Sequence, residues 1–180
     1  MKSALELGER ETRAAMAEAR QLLASVTPEA AVRRPRPDAW SAAECLEHLT
    51  ITADEFLPLL DEAIARRAAG SVGDYRPGWL GRWFLRQIEP AEKQRSFRAP
   101  SKFVPAPSEK TGEQALEAFL AAHKRLLVRL PQLEPLDLAR VRVNSPFATW
   151  MSYPVGLVCY LIPAHCRRHL RQARRATESA

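Results

Sequence analysis

The chain has 180 residues, 46% hydrophobic and 27% charged, which suits one domain spanning 1–180 whose core needs no staples. Its three cysteines form no CxxC pair, and its longest apolar run, Tyr153 to Ala164, is about a dozen residues interrupted by prolines, too short for a membrane span. Met1 to Arg10 holds acidic residues and no apolar stretch of the secretory type, so a reduced, cytoplasmic protein is expected.

From Lys2 to Ser25 the pattern is helical, with Leu5, Met16, Leu22, Leu23 and several alanines forming an apolar stripe. Thr27-Pro28 ends it. Residues Glu29 to Ala39 carry Arg33, Arg34, Pro35, Arg36 and Pro37, which predicts an extended connector. Ser41 opens a second helix as its N-cap, and Glu44 three residues on completes the capping-box pattern. Leu46, Leu49, Phe56, Leu59, Leu60 and Ile64 recur at helical spacing and face the core. Pro58 predicts a kink or an early end, and Ala69-Gly70-Ser71 stops the helix.

Trp79, Leu80, Trp83, Phe84 and Ile88 predict a short amphipathic helix. Residues 89–111 form a long loop with Pro90, Pro100, Pro105 and Pro107, either a lid or binding loop or a surface excursion. Thr111 caps another helix that runs to Leu130, with Leu116, Phe119, Leu120, Leu126 and Leu127 on one side. His123, beside Lys124 and Arg125, reads as a surface residue. Arg140 to Val143 alternates briefly and Asn144-Ser145-Pro146 follows. The last helix is expected from Trp150 or Tyr153 to Ala176. Pro154 suits its first turn, whereas Pro163 predicts a bend. Four substantial helices, a short extra helix and no sheet make an all-α four-helix bundle.

The chemistry concentrates in few residues. Of four histidines, His165 and His169 stand four apart on the last helix, so both rings leave one face about 6 Å apart. That spacing suits two ligands of one metal ion, and His48 on the second helix offers a third. Three histidines merely hydrogen-bonded within the bundle would show the same pattern. Glu44, one turn before His48, suits a carboxylate behind the ligands or a general base, and the capping role explains it at least as well. Cys45, Cys159 and Cys166 read as small buried residues. Trp79, Trp83, Phe147, Trp150 and Tyr153 suit the wall of an apolar substrate pocket or simple core packing. The net charge of +6 is concentrated at Arg167, Arg168, Arg171, Arg174 and Arg175. No aromatic residue interleaves them for base stacking, so a solvated helix end is expected rather than a nucleic-acid surface.

The run Trp40-Ser41-x-x-Glu44-x-x-x-His48-Leu49 and the run His165-x-x-x-His169-Leu170-x-Gln172 resemble the DinB-like superfamily of bacterial proteins. The resemblance covers most of the chain, including the Pro-rich approach to Trp40 and the segment Ser145-Pro146-Phe147. Pro163 departs from the family's pattern. The resemblance implies a four-helix bundle with one divalent metal on His48, His165 and His169. It also implies kinship with bacillithiol- or mycothiol-dependent S-transferases, a mycothiol-dependent maleylpyruvate isomerase and metal-dependent hydrolases.

Three imidazoles with no obvious fourth protein ligand leave an open position, as in a catalytic zinc site, and all-nitrogen ligation suits zinc or nickel. The expected cofactors are therefore that ion and a low-molecular-weight thiol, with thiol or water attacking a small electrophile. The alternative is a metal or small-molecule binding protein without turnover on the same bundle. A homodimer is a further expectation, although no apolar stripe is clearly left over.

Overall fold

The computed structural model describes residues 3–66, 73–90, 99–106, 110–148 and 150–178. The first stripe folds as α1 (Ser3–Ala24). The expected connector is partly helical: α2 spans Pro28–Val32, the Thr27 side chain accepts a hydrogen bond from the Ala30 N–H, and Pro28 occupies the first turn. An N-cap hydroxyl followed by proline is a helix start, so Thr27-Pro28 both ends α1 and begins α2.

Helix α3 (Ala42–Ala65) carries the expected capping box. Ser41 Oγ accepts from the Glu44 N–H at 3.2 Å, and the Glu44 carboxylate accepts from the Ser41 N–H at 2.9 Å. Pro58 does not break the helix. It lies on the exposed face, where water can satisfy the carbonyl that loses its partner. The expected stop at Ala69-Gly70-Ser71 lies outside the described residues. The short amphipathic helix is α4 (Trp79–Ile88), and a 3₁₀ turn lies at Ser101–Phe103.

Helix α5 (Gly112–Arg129) is capped by Thr111 and Gln114. The alternation after it is a strand, β1 (Arg142–Asn144), paired antiparallel with β2 (Ser152–Pro154). A two-stranded ribbon thus stands where no sheet was expected, with Val143 opposite Tyr153 and both buried. The same pairing corrects the last helix. Residues Ser152–Pro154 are extended, a 3₁₀ turn follows at Val155–Leu157, and α6 spans Val158–Glu178.

Helices α1 and α3 each pack against both α5 and α6. The four long helices therefore form a ring with α1 diagonal to α3 and α5 diagonal to α6. Helix α6 is assigned without a break across Pro163. That turn meets Gly8 of α1, where a Cβ would sit 3.1 Å from Cys159 Cβ and 3.3 Å from the Cys159 carbonyl oxygen. The missing side chain lets α1 close on the turn whose hydrogen bond proline removes. Phe56, Leu60, Phe119, Leu126, Leu170 and their neighbours fill one continuous core. Each such residue contributes roughly 1.5–3 kcal/mol by leaving water.

The C-terminal arginines are less free than expected. Arg167 pairs with Glu11 of α1 and with Glu89 just beyond α4, and Arg174 pairs with Glu18. The Arg168 guanidinium donates to the Gln87 carbonyl.

Candidate metal centre

The capping box fixes where α3 begins, and His48 follows on its buried side at 2% exposure. Helix α6 supplies His165 and His169 from one face. The three ring centroids stand 4.4, 4.5 and 5.0 Å apart. One nitrogen from each ring lies within 4.8 Å of the others, and among the described residues this is the one such group of histidine, cysteine or carboxylate ligands. The structure therefore brings His48 of α3 together with His165 and His169, the pair four apart on α6.

Hydrogen bonding assigns the nitrogens. His48 Nδ1–H donates to the Phe103 carbonyl at 2.7 Å, and His169 Nδ1–H donates to Gln172 Oε1 at 3.1 Å. Each proton fixed on Nδ1 leaves a lone pair on Nε2. His48 Nε2 and His165 Nε2 face each other at 3.2 Å. The His48 lone pair accepts a hydrogen bond when His165 carries its proton on Nε2, and in the other His165 tautomer the two lone pairs converge where a cation can bind both. Two nitrogens on one tetrahedral zinc stand about 3.3 Å apart, from bond lengths near 2.0–2.1 Å. The donor set, its neutral state and its outer hydrogen bonds all fit a divalent ion.

Burial is the main force holding the rings neutral. It pushes His165 and His169 well below the ordinary imidazole range, and the neighbouring histidines and Arg168 push the same way. His48 is also lowered by burial; its bond to the Phe103 carbonyl acts in the opposite sense, and Arg168 adds to the lowering. A cationic Arg168 close to three imidazoles disfavours their protonation, which leaves them as ligands.

Of the aromatic rings that border the cluster, Phe147 was expected and Trp40 was not. Trp40 lies 4.8 Å from the His48 ring and 5.9 Å from His169, and Phe147 lies 6.0 Å from His165. Trp79, Trp83 and Trp150 are instead turned to solvent at 76%, 55% and 88% exposure, and Tyr153 is buried in the core. Periodicity shows that a helix has an apolar face; it does not show whether a neighbour covers that face.

Glu44 is engaged by its own surroundings. Its carboxylate accepts from Arg34 Nε and Nη2 and from the Ser41 N–H. Burial alone would raise its pKa, but the Arg34 and Ser41 bonds outweigh that and hold it below the ordinary carboxylate range. Such a carboxylate is a poor proton acceptor. Glu47, next to His48, is also buried; its Oε1 has no hydrogen-bond partner among the described residues, and its Oε2 is 3.9 Å from Lys110 Nζ.

His123 is not a surface residue. It is 1% exposed; Nδ1–H donates to the Phe119 carbonyl at 2.9 Å, and Nε2 accepts from the Cys166 thiol at 3.2 Å. Its spacing carried the signal, four residues after Phe119 and three before Leu126, both in the core. A cavity with room for about one water lies between it and His165, lined also by Thr52 and Cys166. All three cysteines are buried and unbridged. Burial pushes the thiols of Cys159 and Cys166 up to about 12 and that of Cys45 up as well, so none is poised as a nucleophile.

A family model for the DinB superfamily matches residues 11–173, a span that includes Trp40, His48, His165 and His169. No curated protein and no solved structure matches the chain.

Proposed function

For a chain that belongs to the DinB superfamily, we propose a metal-dependent enzyme in which His48, His165 and His169 hold one divalent ion, zinc or nickel, next to a site where a thiol or water attacks a small electrophile. The observation that carries this reading is the pair of Nε2 atoms 3.2 Å apart, with the Nδ1 protons of His48 and His169 already committed elsewhere. An ion bound there supplies Lewis acidity, which makes a thiol or water acidic enough to react near neutral pH.

The protein's own residues do the rest. The Phe103 carbonyl and Gln172 hold two ligand rings in orientation and tautomer. Trp40 and Phe147 border the rings with apolar surface and keep bulk water from them. Glu44 anchors the start of α3 and so the height of His48. It takes no part in proton transfer, because Arg34 and Ser41 occupy its oxygens.

A second reading, a metal-binding protein without turnover, draws on one observation: among the described residues no carboxylate belongs to the cluster. One experiment separates the two. Protein purified without an affinity tag is analysed for metal, then mixed with glutathione, bacillithiol or mycothiol and a panel of electrophiles while thiol consumption is followed. Metal at one equivalent with thiol consumption supports the enzyme. Metal without turnover, thiol-dependent or hydrolytic, supports the binding protein. No metal uptake even with added zinc or nickel removes both.

A further inference from the structure

Access to the cluster is uneven. His48 and His169 are buried, whereas His165 as a residue is only half-buried. Phe147 stands beside His165, edge to face at 6.0 Å and 37% exposed. Its ring is backed from within by Phe103 at 4.5 Å and Phe56 at 6.2 Å. Phe103 and Phe56 are themselves buried in the core. Phe103 also accepts the His48 Nδ1 proton through its carbonyl, so the aromatic stack and the histidine cluster share a residue. A large apolar side chain held half-open beside a polar cluster is a preformed surface for a ligand's apolar part.

We infer that Phe147, backed by Phe103 and Phe56, forms the apolar wall of the substrate position, and that the site takes substrates whose reacting group is attached to an aromatic or other flat apolar body. The inference rests on the metal reading above and adds the substrate class. Ring-on-ring contact and apolar burial discriminate by area, so a phenyl group gains and a methyl group does not.

The test uses cobalt(II) as the probe metal, because its visible spectrum reports ligands entering its coordination. Benzohydroxamate and acetohydroxamate present the same metal-binding group and differ in phenyl against methyl. Cobalt-loaded wild type is expected to bind benzohydroxamate on the order of tenfold tighter. In Phe147→Ala that preference collapses through weaker benzohydroxamate binding, while acetohydroxamate stays within about twofold, the margin set by its lack of ring contact. Phe147→Leu, which keeps an apolar side chain at the hairpin tip, falls between them and carries the test if the alanine variant does not fold. No aryl preference in loaded wild type, or equal weakening of both probes, overturns the wall alone. So does a loss of cobalt affinity in either variant, which makes Phe147 a support for His165. A wild-type chain that takes up no cobalt overturns the metal reading, and the wall with it.

Discussion

Two kinds of buried histidine sit in one bundle core, in opposite states. His123 has both nitrogens satisfied by the chain, one by its own helix and one across the diagonal by Cys166 on α6. In the trio, His48 and His169 each commit Nδ1 to an oxygen of the chain, while His48 Nε2 meets His165 Nε2 and one nitrogen of each ring lies close to the others. The first arrangement is complete, whereas the second gathers nitrogens from three rings at one point, where they could hold a metal ion. Burial alone does not separate them, since His123 at 1% and His48 at 2% are equally inside. What separates a structural histidine from a candidate ligand is where the second nitrogen points.

The contrast can be broken most sharply by deleting a member of the trio. His169→Ala is expected to lower zinc or nickel affinity by more than about 100-fold, above the 10- to 100-fold typical of outer-shell changes, read by titration calorimetry. The same affinity in variant and wild type would put the metal elsewhere. His123→Ala should do the reverse. It leaves a cavity and strands the Cys166 thiol, costing about 2–4 kcal/mol in urea unfolding. Its metal affinity should stay within about threefold, below the outer-shell range; a larger fall would merge the two classes.

Acid sharpens the comparison next. Burial pushes His123 down to about 4 from the ordinary value of 6.5. The unfolded chain takes up that proton near pH 6.5 and the folded chain only near 4. The stabilisation is therefore present above about 6.5 and is lost progressively as pH falls toward 4, by roughly 3 kcal/mol in total. The trio is lowered as well, so metal-free protein should lose stability in the same direction from all four rings. Urea midpoints at pH 7, 6, 5 and 4.5 read this, and His123→Gln should flatten the slope. A flat profile in the wild type would mean that these rings are not neutral inside.

Smaller effects come from the supports. Gln172→Ala frees the His169 Nδ1 proton and should weaken metal binding by about 10- to 100-fold without a second unfolding transition. Ser41→Ala removes one half of the capping box and should cost about 1 kcal/mol of stability. A metal affinity in Ser41→Ala that falls further than in Gln172→Ala would show that the height of His48 matters more than ring orientation.

Local rules decided much of this protein in advance. A capping box, a four-residue histidine spacing and an apolar stripe each act within a turn or two of helix, so the four long helices and the three histidines were legible from the residues themselves. The same reach explains α2, since Thr27-Pro28 held its start signal and only the prolines beyond it suggested a connector. Tertiary structure alone decided the rest. The Phe103 carbonyl that orients His48 is a backbone atom 55 residues away, and no side-chain identity announces it. Tyr153 is extended because Val143 pairs with it. Phe147 stands at His165, and Trp79 and Trp83 at the surface, because a helix or hairpin pattern records that a residue is apolar but not which neighbour arrives to cover it.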